Sequence, residues 1–210
     1  MATPAKSYEW VDFQENKLMN IFFSSLRPRL LYFTIFFLFS AGNGISQETQ
    51  QANTKNDCLM AVAREIMKAA RYCALITVDE SGQPYARTMD PFWPDDDMVI
   101  WFGTNPNSRK VKHILHDSRV VLYYFDSEAS GYVSITGIAR LVNDAKEKAL
   151  RWKKEWQAFY PDRDRSYLLI AVEPKKLEVV SEKHNITGDL KTWTPPALKF
   201  KSADSKSEQK

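Results

Sequence analysis

Residues 84–110 read PYARTMDPFWPDDDMVIWFGTNPNSRK, and the alternation of strand and turn signals in this stretch decides the fold. Pro84 to Asp90 forms one strand and Met98 to Thr104 the next. Between them Pro91 to Asp97 is a loop with two prolines and three consecutive aspartates. Asn105-Pro106-Asn107-Ser108 starts a helix, with Asn107 or Ser108 as the cap. Within the first strand, alternation puts Arg87 and Met89 on one face and Thr88 on the other.

Upstream, Tyr72 to Val78 is an apolar strand, and Asp79-Glu80-Ser81-Gly82 turns it into Pro84 to Asp90 as a hairpin. Asp57 caps a helix running to about Arg71, with Leu59, Val62, Ala63, Ile66 and Ala70 on one face. Downstream, Val111, Ile114 and Leu115 make the stripe of a short helix. Arg119 to Phe125 and Tyr132 to Val142 are strands separated by Asp126 to Gly131. Asp144 to Phe159 reads as one amphipathic helix, with Ala145, Ala149, Trp152, Trp156 and Phe159 on one face. Tyr167 to Val172 and Lys176 to Val180 are two final strands around Glu173-Pro174. Hairpin-like neighbours with few crossover helices predict a mainly β (α+β) fold, an antiparallel barrel with helices packed outside. The glycines form no G-x-G-x-x-G pattern and there is no Walker loop, which argues against a Rossmann sheet.

Composition narrows the function. The 210 residues carry 29 Lys+Arg against 26 Asp+Glu, a formal charge of +3, with 44% hydrophobic and 26% charged residues. That balance fits a folded domain and lacks the basic stripe a nucleic-acid binder would show. Two cysteines exclude a Cys-rich metal site. His113 and His116 stand three apart on a short helix and read as a surface pair, since two ligands alone make a weak metal site. Asp95-Asp96-Asp97 lacks the Ca²⁺ loop spacing and reads as a solvated turn. No Ser/His/Asp or Cys/His nucleophile set stands out.

Leu30 to Phe39 reads LLYFTIFFLF, preceded by Arg27 and Arg29 and followed by Ser40-Ala41-Gly42. A membrane span needs about 20 apolar residues, so this run fits the apolar region of a signal peptide, residues 1–46. Met19 is the more natural start, and cleavage falls before Gln47. The chain is expected to be exported, with no stable membrane insertion after cleavage; the alternative is a tether by an uncleaved signal-anchor. Residues 47–56 are expected as a flexible lead-in, 57–200 as the barrel domain and 201–210 as a disordered tail. Export would permit Cys58 and Cys73 to pair, while Cys73 reads equally well as a small buried hydrophobe.

Thr104 to Lys110 is the most site-like segment. A strand ends at Thr104 and a helix starts near Ser108, where free backbone N–H groups attract anions. Ser108 adds a hydroxyl, and Arg109 and Lys110 add charge. This is chemistry suited to a phosphate, though the same residues also describe an ordinary capped helix with solvated basic side chains. Arg87, in mid-strand of an apolar barrel, either lies on a solvent face or needs a partner such as that phosphate.

The order P-Y-A-R-T-M, I-W-F-G-T, N-x-N-S-R-K, V-V-L-Y-Y-F and Y-V-S-I-T-G-I-A-R-L-V resembles the FMN-binding split barrel of pyridoxamine 5'-phosphate oxidase-like proteins. Lys153 to Pro161 (K-x-x-x-W-x-x-F-Y-P) and the closing Thr192 to Pro196 (T-W-T-P-P) resemble the general stress protein 26-like branch. The resemblance covers roughly Asp57 to Phe200. It implies a homodimer with FMN at the interface. Arg87, Thr88 and Met89 would lie along the flavin, with Arg87 on the phosphate. Phe102, Gly103 and Thr104 would pass beside the ring and ribityl chain. Ser108, Arg109 and Lys110 would complete the phosphate site, and Tyr132 and Ser134 would approach from the second subunit.

The implied activity is flavin-dependent oxidoreduction of a small substrate, with electrons from a small-molecule reductant. A second reading is a stress-related binding module that holds flavin, haem or a deazaflavin without turnover, and a third is a structural barrel with an empty site. Oxidation of pyridoxamine phosphate itself is not implied, because no W-G-G-Y-R-type segment follows Lys183.

Overall fold

The computed structural model describes residues 44–128 and 130–200. The expected signal peptide and polar tail therefore lie outside the described residues, save for 44–46. Helix α1 spans Gly44–Ala70, followed by β1 (Cys73–Val78), β2 (Pro84–Met89) and β3 (Ile100–Thr104). Then come α2 (Arg109–His116), β4 (Arg119–Asp126) and β5 (Gly131–Val142). The remainder is α3 (Ala145–Leu150), a short 3-10 helix (Lys154–Ala158), α4 (Arg163–Ser166), β6 (Leu168–Ser181) and β7 (Ala197–Lys199).

The strands form one antiparallel sheet in the order β2-β1-β4-β5-β6-β3, with β7 added on β6. Its two outer strands meet again. Pro91, just past β2, bridges Phe102 of β3, and the Phe92 N–H donates to the Trp101 carbonyl at 2.8 Å. The sheet thus curls into a split barrel. Alternate residues fill its inside: Leu75, Ile100, Phe102, Leu122, Ile135 and Leu177 are all fully buried.

The hairpin expected at 72–90 is present in register, with Leu75 opposite Arg87 and Cys73 opposite Met89. Several expectations are corrected. Helix α1 begins at Gly44, not at Asp57, and residues 47–56 are helical rather than a loose lead-in. Gln, Glu, Ala and Lys in this stretch favour helix, and no Gly or Pro follows Gly44 to interrupt it. Residues 50–58 are all exposed. The second half of α1 does the packing: Leu59, Val62, Ala63, Ile66 and Met67 are buried, each large side chain contributing about 1.5–3 kcal/mol.

The helix expected over 144–159 is broken into α3 and the 3-10 helix. The break lets Trp152, Trp156 and Tyr160 gather around Tyr167, with ring centroids 5.2, 6.0 and 5.0 Å from it. Phe159, expected on the buried face, is exposed.

The two final strands are one, since β6 runs through Pro174 by means of a bulge. Register passes from Thr136 opposite Lys176 to Gly137 opposite Pro174, leaving Lys175 as the extra residue. Gly137 is required there, because a Cβ would stand 2.6 Å from the Glu173 carbonyl oxygen. On α2, Val111 and Ile114 are buried as expected but Leu115 is exposed, and His113, expected at the surface, is buried.

Among the described residues no helix is long and apolar enough to cross a membrane. Cys58 is exposed and Cys73 buried, and both thiols are free.

Candidate functional site

Strand β2 lies at the sheet edge, and its alternation is the expected one. Tyr85, Arg87 and Met89 turn inward, while Ala86 and Thr88 are exposed on the outer face. Arg87 is half-buried. Its Nη1 donates to the Leu75 carbonyl at 3.0 Å and to Thr77 Oγ1 at 2.7 Å. Among the described residues its Nε and Nη2 make no hydrogen bond.

Strand β3 ends at Thr104, which is buried. Ser108 occupies the N-cap position of α2, yet its side chain makes no capping hydrogen bond. Its Oγ instead lies 3.2 Å from Thr104 Oγ1. Lys110 Nζ donates to that same Thr104 Oγ1 at 3.0 Å. The first-turn N–H groups of α2 are thus left without a side-chain cap, next to two hydroxyls and an ammonium. Arg109 lies over the Tyr85 ring, 5.4 Å from its centroid.

The fold brings Arg87 near both Arg109 and Lys110. Burial, and then the charge of Arg109, lowers the Arg87 pKa from its usual value. Burial, and then the charge of Arg87, does the same to Lys110. Among the described residues no ion pair joins any of the three to a carboxylate. Three neighbouring cations are an arrangement that a bound anion relieves.

The other expected residues are placed as follows. Met89 is buried at the inner end of β2. Phe102 lies in the barrel core with no exposed surface. Gly103 faces the opposite side and is covered: a Cβ there would stand 2.4 Å from Trp156 Cζ3 and 2.6 Å from Tyr167 Cε2. Thr104, Ser108, Arg109, Lys110 and Arg87 therefore form one group; Thr88 lies on the outer face, Gly103 on the face of β3 opposite Thr104, and Phe102 in the core. A cleft of about 320 Å³ begins just beyond Met89, lined in part by Arg71, Asp90, Phe92, Trp93 and Lys153. Lys153 is ion-paired with Asp90 at 2.7 Å. A wider cleft of about 550 Å³ lies elsewhere, between α1 and residues 185–187.

Two residues that the sequence did not assign to the site, Thr77 and His113, complete the group. Thr77 is fully buried, and its Oγ1 lies 2.9 Å from His113 Nδ1. The Tyr85 and His113 rings lie 5.1 Å apart. The hairpin alternation that places Arg87 inward also places Thr77 inward, so Thr77 was within reach of that signal.

Comparison with known proteins agrees with this architecture. Residues 60–192 match the family model described as "Pyridoxamine 5'-phosphate oxidase like". General stress protein 26 of Bacillus subtilis is 28% identical over 112 residues, 51% of this chain and 78% of that protein. A pyridoxine/pyridoxamine 5'-phosphate oxidase of Vibrio cholerae is 40% identical over 63 residues, but the match spans 30% of this chain and 29% of the oxidase. In fold, the chain resembles a protein of Clostridium acetobutylicum related to general stress protein 26, with a TM-score of 0.56 at 17% identity, covering 70% of this chain and 96% of that one. With its split barrel and its match over residues 60–192, the chain belongs to the pyridoxamine 5'-phosphate oxidase-like family.

Proposed function

We propose that the chain is a homodimeric FMN-binding protein with flavin-dependent oxidoreductase activity on a small substrate. The observation that carries this reading is the trio Arg87, Arg109 and Lys110, which no carboxylate pairs among the described residues, beside the hydroxyls of Thr104 and Ser108. A phosphate monoester carries nearly two negative charges and three acceptor oxygens, which suits that donor set. Bound FMN would supply the hydride and electron chemistry. Arg87 and Lys110 would hold the phosphate, and the Thr104 and Ser108 hydroxyls would orient it. The cleft beyond Met89 would admit the small substrate.

A second copy is supported by the outer sheet face. Register aligns Ala86, Ile76 and Val121 in one row and Thr88, Ala74 and Tyr123 in the next. These side chains are uncharged and exposed or half-buried. An uncovered apolar sheet face marks an interface.

The test is a titration of FMN followed by flavin fluorescence, in wild type and in the double variant Arg87→Ala, Lys110→Ala. The expected result is quenching on binding in the wild type and a loss of at least roughly a hundredfold in affinity in the variant. Equal affinity in both would overturn the site. Reduction of the bound flavin by NAD(P)H and reoxidation by an acceptor would separate an enzyme from a flavin-holding module.

A further inference from the structure

We propose that His113 is a positioning residue of the anion site, acting on Arg87 through the hydroxyl of Thr77. The role rests on the anion-binding reading of Arg87; the hydrogen-bond polarity it requires is tested without any ligand.

Thr77 has no exposed surface, so its single hydroxyl hydrogen needs an acceptor within the protein. Arg87 cannot be that acceptor, because a guanidinium only donates. Arg87 Nη1 donates to Thr77 Oγ1 at 2.7 Å, and the other recorded partner of that oxygen is His113 Nδ1 at 2.9 Å. Thr77 therefore donates to His113 Nδ1, and the ring carries its proton on Nε2. The opposite tautomer would aim two donors at one oxygen and leave a buried hydroxyl hydrogen without a partner.

This polarity gives a directed relay, Arg87 to Thr77 to His113. It fixes Nη1 of a long side chain on an edge strand and leaves Nε and Nη2 for anion oxygens. The same histidine also supports the second cation: its ring packs on Tyr85, and Tyr85 lies beneath Arg109. Arg109, Lys110 and His113 stand three and four residues apart on α2, so one helix face carries both the anion-facing cations and the group that orients their neighbour. A pre-set guanidinium loses less freedom on binding than a mobile one, which raises affinity without a new contact.

The first test is a two-bond nitrogen–proton correlation spectrum of the ligand-free full chain labelled with ¹⁵N-histidine. Single His116→Gln and His184→Gln variants assign the signals. An unprotonated Nδ1 and protonated Nε2 on His113, with the preference lost in Thr77→Val, is expected; a protonated Nδ1 would overturn the relay. The second test is FMN affinity. His113→Leu and Thr77→Val are expected to bind about tenfold more weakly, and His113→Asn and Thr77→Ser to stay within about threefold, since the amide oxygen and the serine hydroxyl restore the bond. His113→Asn as weak as His113→Leu, with both melting like wild type, would overturn the proposal. Should His113→Leu lose its cooperative melt, the Thr77→Val and Thr77→Ser pair carries the comparison. Loss of binding in Arg87→Ala without loss in either Thr77→Val or His113→Leu refutes the positioning role alone. Full binding in Arg87→Ala refutes the anion site itself and leaves the tautomer result standing.

Discussion

Lys110 Nζ donates to Thr104 Oγ1 at 3.0 Å, so the first turn of α2 is tied to the last residue of β3. Thr104 is buried, and Val would match its shape without the oxygen. Thr104→Val is expected to weaken FMN binding by about tenfold, the size of a hydrogen bond to a charged group, while Thr104→Ser stays near wild type. Isothermal titration of both variants checks this. Unchanged affinity in Thr104→Val would show that Lys110 does not depend on this bond.

The aromatic group around Tyr167 leaves no room over β3. Gly103→Ala would press its methyl into Trp156 and Tyr167. Overpacking of this kind costs about 1–3 kcal/mol, enough to lower the melting temperature by several degrees. A thermal melt followed by circular dichroism reads it. Gly82→Ala is a useful contrast: its methyl would meet nothing, and its cost would come from the positive φ of 84° alone.

The two cysteines are expected to differ in reactivity. Burial pushes the Cys73 thiol up to about 12, so it stays protonated at neutral pH, while Cys58 is exposed. Iodoacetamide at pH 8 should add one label per native chain, on Cys58, and two after denaturation. Equal labelling of both in the native state would contradict the burial of Cys73.

A side-chain hydrogen bond from Arg119, followed by its backbone N–H and its charge, lowers the Asp117 carboxyl to about 2 from an ordinary 3.8. A carboxyl whose folded pKa is depressed adds stability above its unfolded value, and that stability is lost as pH falls from about 3.8 through 2. Between pH 5 and 2 the urea midpoint of wild type should therefore fall more steeply than that of Asp117→Asn. Arg119 is exposed, so the difference will be small and will shrink in high salt.

On the outer face, Tyr123 is exposed and stacks on Tyr132, with ring centroids 5.4 Å apart. If this face joins two copies, Tyr123→Glu should give a monomer in sedimentation velocity and lose FMN along with the dimer. A monomeric wild type would remove the interface from the account.

The barrel was legible because its strands are short, alternate cleanly and are punctuated by strong turns: Arg87 and Met89 inward with Thr88 outward follows from period two alone. That Thr104, Ser108, Arg109 and Lys110 lie together was legible because a strand end and a helix start meet there, and the inward Arg87 was legible from strand alternation. The start of α1 was not, since residues 50–58 bury nothing and leave only propensity to mark the helix. The break after α3 was hidden because Trp152 and Trp156 at helical spacing also fit a straight amphipathic helix. Thr77 and His113, 36 positions apart, become neighbours only once α2 packs beside the hairpin.

The most direct measurement is the visible absorbance spectrum of the purified full chain, taken before and after incubation with FMN and gel filtration. The expected result is a flavin band near one equivalent per chain that elutes with the protein at the dimer volume and is quenched in fluorescence. A chain that emerges folded but colourless, with all FMN in the small-molecule fraction, would contradict it.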